Sequence, residues 1–349
     1  MARASSEAPT PAPADAPELE RGRPQMADLA RLAGVSVATV SRALNGSSEV
    51  SQATRQRISE LARSMNYTVN AGAKSLRTKV KRTVALVVPR DPTVDQPISD
   101  PFFLALIGHL ADALTSQGFD VLLSRVPTEG LGGLHDSGVA TALIQLGQLR
   151  DHDALNALAR RGVPLVVWGA QLPDQAYCCI GGDNFRGGAL AAEHLVAHGR
   201  QRIAFIGDRS LPEPQMRWQG FDAALRRHGL ALDPALHLDI AYGADLTRDA
   251  LQELLDSGAP FDAVFACSDV MAIAAQSQLR RHGLRVPEDV MVVGYDDIDW
   301  AAHADPPLTS VRQALAPAVG KMVEALLRLI GGERAASVQM PVALVVRQS

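Results

Sequence analysis

The chain has 349 residues, enough for two or three domains, and its 47% hydrophobic and 21% charged residues are typical of a globular protein. No stretch approaches the roughly 18 apolar residues that a membrane helix needs. The N-terminus lacks the apolar segment of a secretory signal, so we expect a cytoplasmic protein with no membrane partner. Three cysteines, two of them adjacent (Cys178 and Cys179), form neither a disulfide framework nor a CxxC pair.

The net charge of −4 hides a strong asymmetry along the chain. Residues 1–24, rich in Pro, Ala, Ser and Glu, are predicted to be a disordered tail. Residues 21–82 contain twelve Lys or Arg against three acids, whereas residues 83–349 contain 21 against 31. A basic segment joined to an acidic body is typical of a polyanion-binding head, although a solvated basic face would have the same composition.

The basic segment 25–68 predicts three short helices. Gly34 can end the first helix as a left-handed cap, and Ser36 is a good N-cap for a second helix over 37–44. A third helix is predicted to start at the Ser51 cap and to run to Asn66. The apolar face of the first helix consists of Met26, Leu29, Ala30 and Ala33. Two helices joined by a short turn with Gly predict a helix-turn-helix, whose second helix can enter the major groove of DNA.

The outer face of the second helix carries the candidate base-reading residues Val37, Ala38 and Arg42. Arg42 can donate two hydrogen bonds to a guanine, whereas Val37 and Ala38 can contact thymine methyl groups. Other side chains are suited to phosphate contacts, which position a protein without reading sequence: Thr39, Ser41, Ser51, Thr54 and Arg55. A helical hairpin of this spacing also occurs in ordinary helical cores, so the DNA-binding interpretation needs both the motif and the charge.

The segment MADLARLAGVSVATVSRALNGSSEVSQATRQRISELARSMNYTVN resembles the N-terminal domain of the LacI/GalR family of bacterial transcription regulators. The resemblance implies that residues 69–82 form a hinge helix and linker, with minor-groove contacts from Asn70, Ala73, Lys74 and Leu76. Leu76 would wedge between bases and kink the DNA. The hinge departs from the family pattern at Val69, where Pro is usual. It departs again at Gly72, which weakens a helix by about 1 kcal/mol relative to Ala, so we expect Gly72→Ala to raise operator affinity.

From residue 83 onward, strand-like and helix-like segments alternate. The apolar runs are 83–88, 119–124, 141–147, 164–169, 202–207, 263–267 and 290–295. The alternation predicts an α/β core of two doubly wound parallel-sheet subdomains with a cleft at the carboxyl ends of the strands. The resemblance implies the same core, similar to periplasmic sugar-binding proteins, behind an all-α helix-turn-helix head.

Within the core, 83–349, the chain is expected to cross between the subdomains twice. We place the N-subdomain at about 83–169 and 297–312, and the C-subdomain at about 170–296 and 313–349. The stretch 125–138 leaves room for only a stub of the crossover helix.

Polar and aromatic side chains near the strand ends are the candidate effector-binding residues: Phe102, Phe103, Ser124, Gln148, Trp168, Arg217, Tyr242, Ser268, Asp269 and Asp296. Arg217 matches the Arg with which the family reaches into its effector cleft. A cation there suits a sugar hydroxyl or a carboxylate, and the alternative is a surface Arg without a ligand. Trp168 could stack on a sugar or belong to the core. Gly169 stands where some family members have Asp.

No GxSxG, Walker A or HExxH motif occurs, so the sequence predicts neither an enzyme nor a cofactor. His194 and His198 have a spacing that can hold a metal but lack a third ligand, so no metal site is predicted. The Gly-rich segment 181–188 is interpreted as a turn with a helix cap at Asp183 rather than as a nucleotide site.

Together these features predict a repressor that binds a pseudo-palindromic double-stranded DNA operator as a homodimer. Its operator affinity would be set allosterically by a small molecule, a sugar being the first candidate. Two alternatives remain open, a regulator triggered by a partner protein and a cytosolic sugar-binding protein.

Overall fold

The computed structural model of the protein describes residues 25–44, 47–65, 67, 82–90 and 96–349. The chain divides into two compact units, residues 1–80 and 81–349. The predicted tail lies outside the described residues, and so do the hinge residues Val69, Asn70, Gly72, Ala73, Lys74 and Leu76.

The first unit contains three helices in its described part, α1 (Met26–Ala33), α2 (Val37–Leu44) and α3 (Gln52–Ser64). Gly34 ends α1 with φ +61°, a conformation that a side chain would strain. The Ser36 hydroxyl accepts a hydrogen bond from the Thr39 N–H at 3.1 Å and caps α2. One apolar cluster joins the helices, with Leu29, Val40 and Ile58 fully buried. The predicted helix-turn-helix is confirmed.

The second unit consists of two six-stranded sheets. In chain order the strands are β1 (Thr83–Val87), β2 (Asp120–Ser124), β3 (Ala142–Leu146), β4 (Leu165–Trp168), β5 (Cys178–Gly182), β6 (Ile203–Ile206), β7 (His237–Leu238), β8 (Ala263–Ala266), β9 (Met291–Asp296), β10 (Thr309–Gln313), β11 (Val338–Met340) and β12 (Val342–Val345). The strand orders are β11-β5-β4-β3-β1-β2 and β12-β10-β9-β8-β6-β7. Neighbouring strands are parallel except β12, which is antiparallel to β10, so the predicted α/β core is confirmed.

Helices connect the strands and cover the sheets: α4 (Pro101–Ser116), α5 (Leu131–Asp136), α6 (His152–Arg160), α7 (Asn184–Ala197), α8 (Pro212–Arg227), α9 (Ala244–Asp256), α10 (Asp269–Arg281), α11 (Asp299–His303) and α12 (Leu315–Ile330). Val84 and Leu86 of β1 point into one apolar cluster, and Ala85 and Val87 into another. A strand buried on both faces is apolar at every position, which explains the continuous runs in the sequence. Helix α5 is the predicted crossover stub. No helix in the described part of the chain has the length and apolar character needed to cross a bilayer.

The strand pairing corrects the predicted division of the core. We call the part built on the first sheet lobe 1 and the part built on the second sheet lobe 2. Strand β5 pairs with β4 in lobe 1, although the sequence placed residues from 170 onward in the other subdomain. Strand β10 pairs with β9 in lobe 2, although residues 297–312 were assigned to the first subdomain. Helix α12 packs against α4, β4 and β5, so it returns to lobe 1.

Candidate functional site

The surface of α2 presents the predicted base-reading residues to solvent. The side chain of Val37 is 47% exposed, Ala38 is exposed, and the side chain of Arg42 is 57% exposed. The Arg42 Nε lies 3.1 Å from Glu49 Oε2, in an ion pair exposed enough to exchange for a base edge at little cost. The geometry leaves all three side chains accessible to DNA.

The predicted phosphate-contacting residues are not equally accessible. Ser41 is buried at 3% exposure, so its side chain does not face solvent as a predicted phosphate contact would. The guanidinium of Arg55 is half-buried and donates hydrogen bonds to the carbonyls of Ser47 and Val50, so it fastens the segment that precedes α3. Thr39 and Thr54 each share a hydrogen bond with the serine hydroxyl that caps their helix, Ser36 and Ser51 respectively.

The second unit contains a cleft between the carboxyl ends of the two sheets. Its described lining residues are Pro89, Gln96, Phe102, Phe103, Leu146, Gly147, Gln148, Leu149, Trp168, Leu211, Glu213, Arg217, Tyr242, Asp296 and Gln313. The cleft has about 640 Å³ of space not filled by atoms, part of it open to solvent. Seven of the ten predicted effector residues line it.

Lobe 1 contributes what we call the aromatic wall: Phe102, Phe103 and Trp168. The ring centroids of Phe102 and Trp168 are 5.7 Å apart and those of Phe102 and Phe103 are 6.2 Å apart, tilted in both pairs. All three side chains are at most 7% exposed and belong to the largest apolar cluster. Trp168 belongs to the core and also lines the cleft, so its stacking on a sugar stays a prediction.

Lobe 2 contributes what we call the charged wall: Glu213, Arg217 and Asp296. Arg217 is 5% exposed, and its guanidinium carbon lies 3.6 Å above the centre of the Tyr295 ring. Its Nε donates to Asn184 Oδ1 at 2.8 Å, and its Nη1 donates to the carbonyl of Cys267. Arg217 is thus a fixed, buried cation and not the surface Arg of the alternative interpretation.

Burial raises the pKa of Asp296 well above its usual range, while the neighbouring Arg217 acts to lower it. Burial also raises the pKa of Glu213, against the opposing effects of its own backbone N–H and of Arg217. Asp296 ends β9 with φ +113°, which is strained for a residue with a side chain. The Gln313 amide donates to Asp296 Oδ1 at 2.8 Å and holds the carboxyl group towards the cleft.

The Gly-rich segment 181–188 supports the position of Arg217. Asp183 caps α7 by accepting a hydrogen bond from the Arg186 N–H at 2.8 Å, as predicted. A Cβ atom at Gly188 would lie 1.9 Å from the Arg217 carbonyl oxygen, and one at Gly187 would lie 2.6 Å from the Tyr295 ring. These glycines allow α7 to lie directly against α8 and the aromatic ring under the guanidinium.

Gln148 lines the cleft, but its amide group is hydrogen-bonded to other residues of the protein. It is fully buried, its Oε1 accepts from the Ala170 N–H at 2.8 Å, and its Nε2 donates to the Ala170 carbonyl at 2.7 Å and to the Tyr177 hydroxyl at 2.8 Å. The same side chain occupies the space beside Gly169, where an added Cβ would lie 2.6 Å from the Gln148 amide carbon. An Asp at position 169 would therefore require the Gln148 side chain to move.

Three predicted effector residues lie outside the cleft lining. Ser268 caps α10 by accepting a hydrogen bond from the Met271 N–H. Asp269 is fully buried and accepts from the Ile298 N–H at 2.8 Å and from the Ser310 hydroxyl at 2.6 Å. Ser124 ends the edge strand β2 and is half-buried. Sequence reasoning missed Glu213 and Gln313, although Glu213 lies one helical turn before Arg217, a spacing that could have revealed it.

An ion pair between two described residues connects the lobes beside the cleft. Arg150 follows β3 in lobe 1, and its Nη2 lies 2.9 Å from Asp208 Oδ2, which follows β6 in lobe 2. The Arg150 guanidinium also donates to the Ser210 hydroxyl. The pair joins two loops that would separate if the lobes opened.

Two family descriptions match the chain. Bacterial regulatory proteins of the lacI family match residues 25–70, and a periplasmic binding protein-like domain matches residues 192–349. The HTH-type transcriptional regulator CelR of Thermobifida fusca is 37% identical over 342 residues, which cover 94% of this chain and 99% of CelR. The HTH-type transcriptional repressor CytR of Escherichia coli K12 is 34% identical over 294 residues, 82% of this chain and 84% of CytR.

Solved structures agree with these relatives. A complex of the transcriptional regulator CelR with cellobiose has a TM-score of 0.70 at 34% identity and covers 94% of this chain and 100% of its own. A lac repressor dimer bound to operator and the anti-inducer ONPF has a TM-score of 0.81 at 27% identity, covering 94% of this chain and 99% of its own. Both matches extend over the head and the core.

Proposed function

The chain belongs to the LacI family of bacterial transcription regulators, and from that premise we propose that it is a repressor whose operator affinity is set by a sugar in the cleft. The observation that carries the proposal is the pair of facing walls, with aromatic rings from lobe 1 and a buried Arg with two carboxyl groups from lobe 2. Aromatic faces stack on sugar rings, and charged groups bond their hydroxyls. The cellobiose complex of CelR makes cellobiose the first ligand to test.

The DNA-binding part of the proposal rests on α2. A single α2 surface offers one strong hydrogen-bonding side chain, Arg42, beside the apolar Val37 and Ala38. One head therefore reads little sequence alone, and we propose that a homodimer reads two half-sites of a pseudo-palindromic operator. The two readers together supply a specificity that neither has singly.

The allosteric part rests on the location of the cleft between the lobes. A ligand that touches both walls changes the relative stability of lobe arrangements if it fits one of them better. The Arg150–Asp208 pair is a protein contact that depends on the same arrangement. We propose that the sugar acts on operator affinity through this equilibrium.

The test is DNA binding by the purified full-length chain at fixed salt, with an operator selected from random double-stranded DNA. We expect a preferred palindromic sequence and a change of at least about fivefold in its dissociation constant on adding cellobiose or another sugar from a broad panel. Arg42→Ala should lose sequence preference, by about 1–3 kcal/mol at one base pair, while its melting temperature still responds to the sugar.

Two other outcomes would identify the alternatives. Operator binding that no sugar in the panel changes would favour a regulator triggered by a partner protein. Sugar binding without selection of any DNA sequence would favour a sugar-binding protein and contradict the repressor.

A further inference from the structure

Building on the proposed function, we infer that the effector is an uncharged, hydroxyl-rich sugar and that Glu213 excludes sugar acids and sugar phosphates from the cleft. The sequence left open whether Arg217 meets a hydroxyl or a carboxylate. The surroundings of Arg217 decide in favour of the hydroxyl.

Among the described residues, carboxyl groups outnumber basic groups in the walls of the cleft. Among the described lining residues, Arg217 is the one permanently charged cation, and it faces the carboxyl groups of Glu213 and Asp296. The carboxyl group of Asp100, the N-cap of α4, is a third acidic group that acts on Asp296 and raises its pKa. A carboxylate or phosphate entering this cleft would find one cation already shared with acidic neighbours, and every one of these neighbours that is ionised would repel it at low dielectric.

The Arg217 guanidinium is already hydrogen-bonded within the protein. A side-on carboxylate needs the Nε–H of a guanidinium together with one terminal N–H, but the Arg217 Nε–H is bonded to Asn184. One terminal nitrogen bonds the Cys267 carbonyl, and one face of the group lies on Tyr295. The remaining N–H groups on the two terminal nitrogens can donate to hydroxyl oxygens. An end-on carboxylate would compete for them with Glu213 and Asp296, whose charged forms Arg217 already favours.

Asp296 has one hydrogen-bond donor for its two carboxyl oxygens among the described residues. Gln313 donates to one oxygen of Asp296, and within the described residues no hydrogen bond occupies the other oxygen. Burial raises the pKa of both Asp296 and Glu213, so the protein alone does not fully stabilise their charged forms. A sugar hydroxyl can donate its hydrogen to such a carboxylate, whereas an ionised acid group has no hydrogen to donate.

Glu213 is the residue placed to discriminate between neutral sugars and acidic ones. It lies one turn before Arg217 on α8, and the Gln148 backbone N–H of lobe 1 acts on its carboxyl group and lowers its pKa. Glu213 therefore faces across the cleft, towards any ligand that touches both lobes. Asp296 is held by Gln313 of its own lobe, whereas the Glu213 carboxyl group is the one that interacts with a backbone group of lobe 1.

The test compares cellobiose with cellobiouronic acid, which differ by oxidation of one CH₂OH group to a carboxylate, by calorimetric titration of the full chain. We expect the wild type to bind cellobiose at least about tenfold more tightly than the acid. In Glu213→Gln, which keeps the size of the side chain, this ratio should fall several-fold because binding of the acid improves. Glu253→Gln, on the exposed side of α9, is the matched control and should keep the wild-type ratio.

The same comparison is run by thermal shift on glucose with glucuronate, galactose with galacturonate, and glucose with glucose 6-phosphate. A wild type that binds an acid or a phosphate as tightly as its neutral counterpart would overturn the inference, and so would an unchanged ratio in Glu213→Gln. In both cases a sugar response of operator binding would survive. If no sugar of any pair binds, the proposed sugar response itself fails and the inference fails with it.

Discussion

The two walls of the cleft are held in place by different forces. The rings of the aromatic wall lie in the apolar cluster of lobe 1 and need no polar partner. In the charged wall Arg217 is buried, Glu213 and Asp296 are half-buried, and their positions depend on polar and aromatic partners, Asn184, Tyr295 and Gln313 among them. The aromatic wall can therefore be changed at the cost of contact area, whereas a change in the charged wall leaves other charges uncompensated.

Arg217→Ala should have the largest effect. It leaves Asn184 and the Cys267 carbonyl without their donor and Glu213 and Asp296 without the cation that favours their charged forms, at a cost of roughly 1–3 kcal/mol for each buried polar group that loses its partner. We expect a lower urea midpoint and no sugar-dependent shift in melting temperature. Arg217→Lys keeps the charge but loses the planar contact with Tyr295, so it should lie between alanine and the wild type. A urea midpoint of the alanine variant equal to that of the wild type would contradict this account of the charged wall.

The second prediction concerns the pH dependence of the unfolding free energy, to which the buried Asp269 of lobe 2 contributes. Burial raises the pKa of Asp269 to about 7, although the Ser310 hydroxyl and the Ile298 N–H act to lower it. The folded state therefore keeps a proton that the unfolded chain releases near pH 4. The unfolding free energy should then fall as pH rises from about 4 to about 7, by at most about 1.4 kcal/mol per pH unit from this group.

Asp269→Asn should flatten that part of the profile, measured by urea unfolding at several pH values. Asp120→Asn, at an exposed carboxyl group, is the matched control and should keep the wild-type slope. If the unfolding free energy of Asp269→Asn depends on pH with the same slope as that of the wild type, another group is responsible for the slope.

The contrast between the walls also explains what the sequence could and could not predict. The buried strands and the aromatic wall follow from apolar patterning, because a continuous apolar run predicts a strand covered on both faces. Strand β5, with the sequence CCIGG, and strand β10, with TSVRQ, lack such a run, so the chain crossings that depend on them were misplaced. The same omission hid Gln313, which ends β10.

The sequence also did not show in which direction the side chains at the strand ends point. Asp269 and Asp296 both follow or end a buried strand, and the sequence assigned both to the cleft. In the structure Asp269 turns inward to bond Ile298 and Ser310, while the backbone of Asp296, at φ +113°, turns its carboxyl group to the ligand side. Neither direction follows from composition or spacing, because both depend on contacts with residues distant in the sequence.

Trp168→Leu should have a smaller effect that separates the two walls. The substitution keeps an apolar side chain but removes the ring contact with Phe102, so we expect a loss of about 1–3 kcal/mol in unfolding free energy. Sugar affinity should fall, whereas the preference for neutral over acidic sugars should stay at the wild-type ratio. A changed charge preference in this variant would show that the division of roles between the walls does not hold.

The smallest expected effect is that of the ion pair between the lobes. Arg150 and Asp208 are 41% and 17% exposed in their side chains, so solvent screens their attraction, and such pairs contribute about 0.2–1 kcal/mol. We expect Arg150→Ala to leave the urea midpoint almost unchanged and to weaken sugar binding less than about fivefold, since only the arrangement with the lobes together contains the pair. A double-mutant cycle with Asp208→Asn, measured on sugar affinity at low and at high salt, isolates the interaction. A coupling energy that disappears at high salt would assign the effect to the ion pair, whereas a zero coupling at low salt would mean that the walls alone determine how the ligand holds the lobes together.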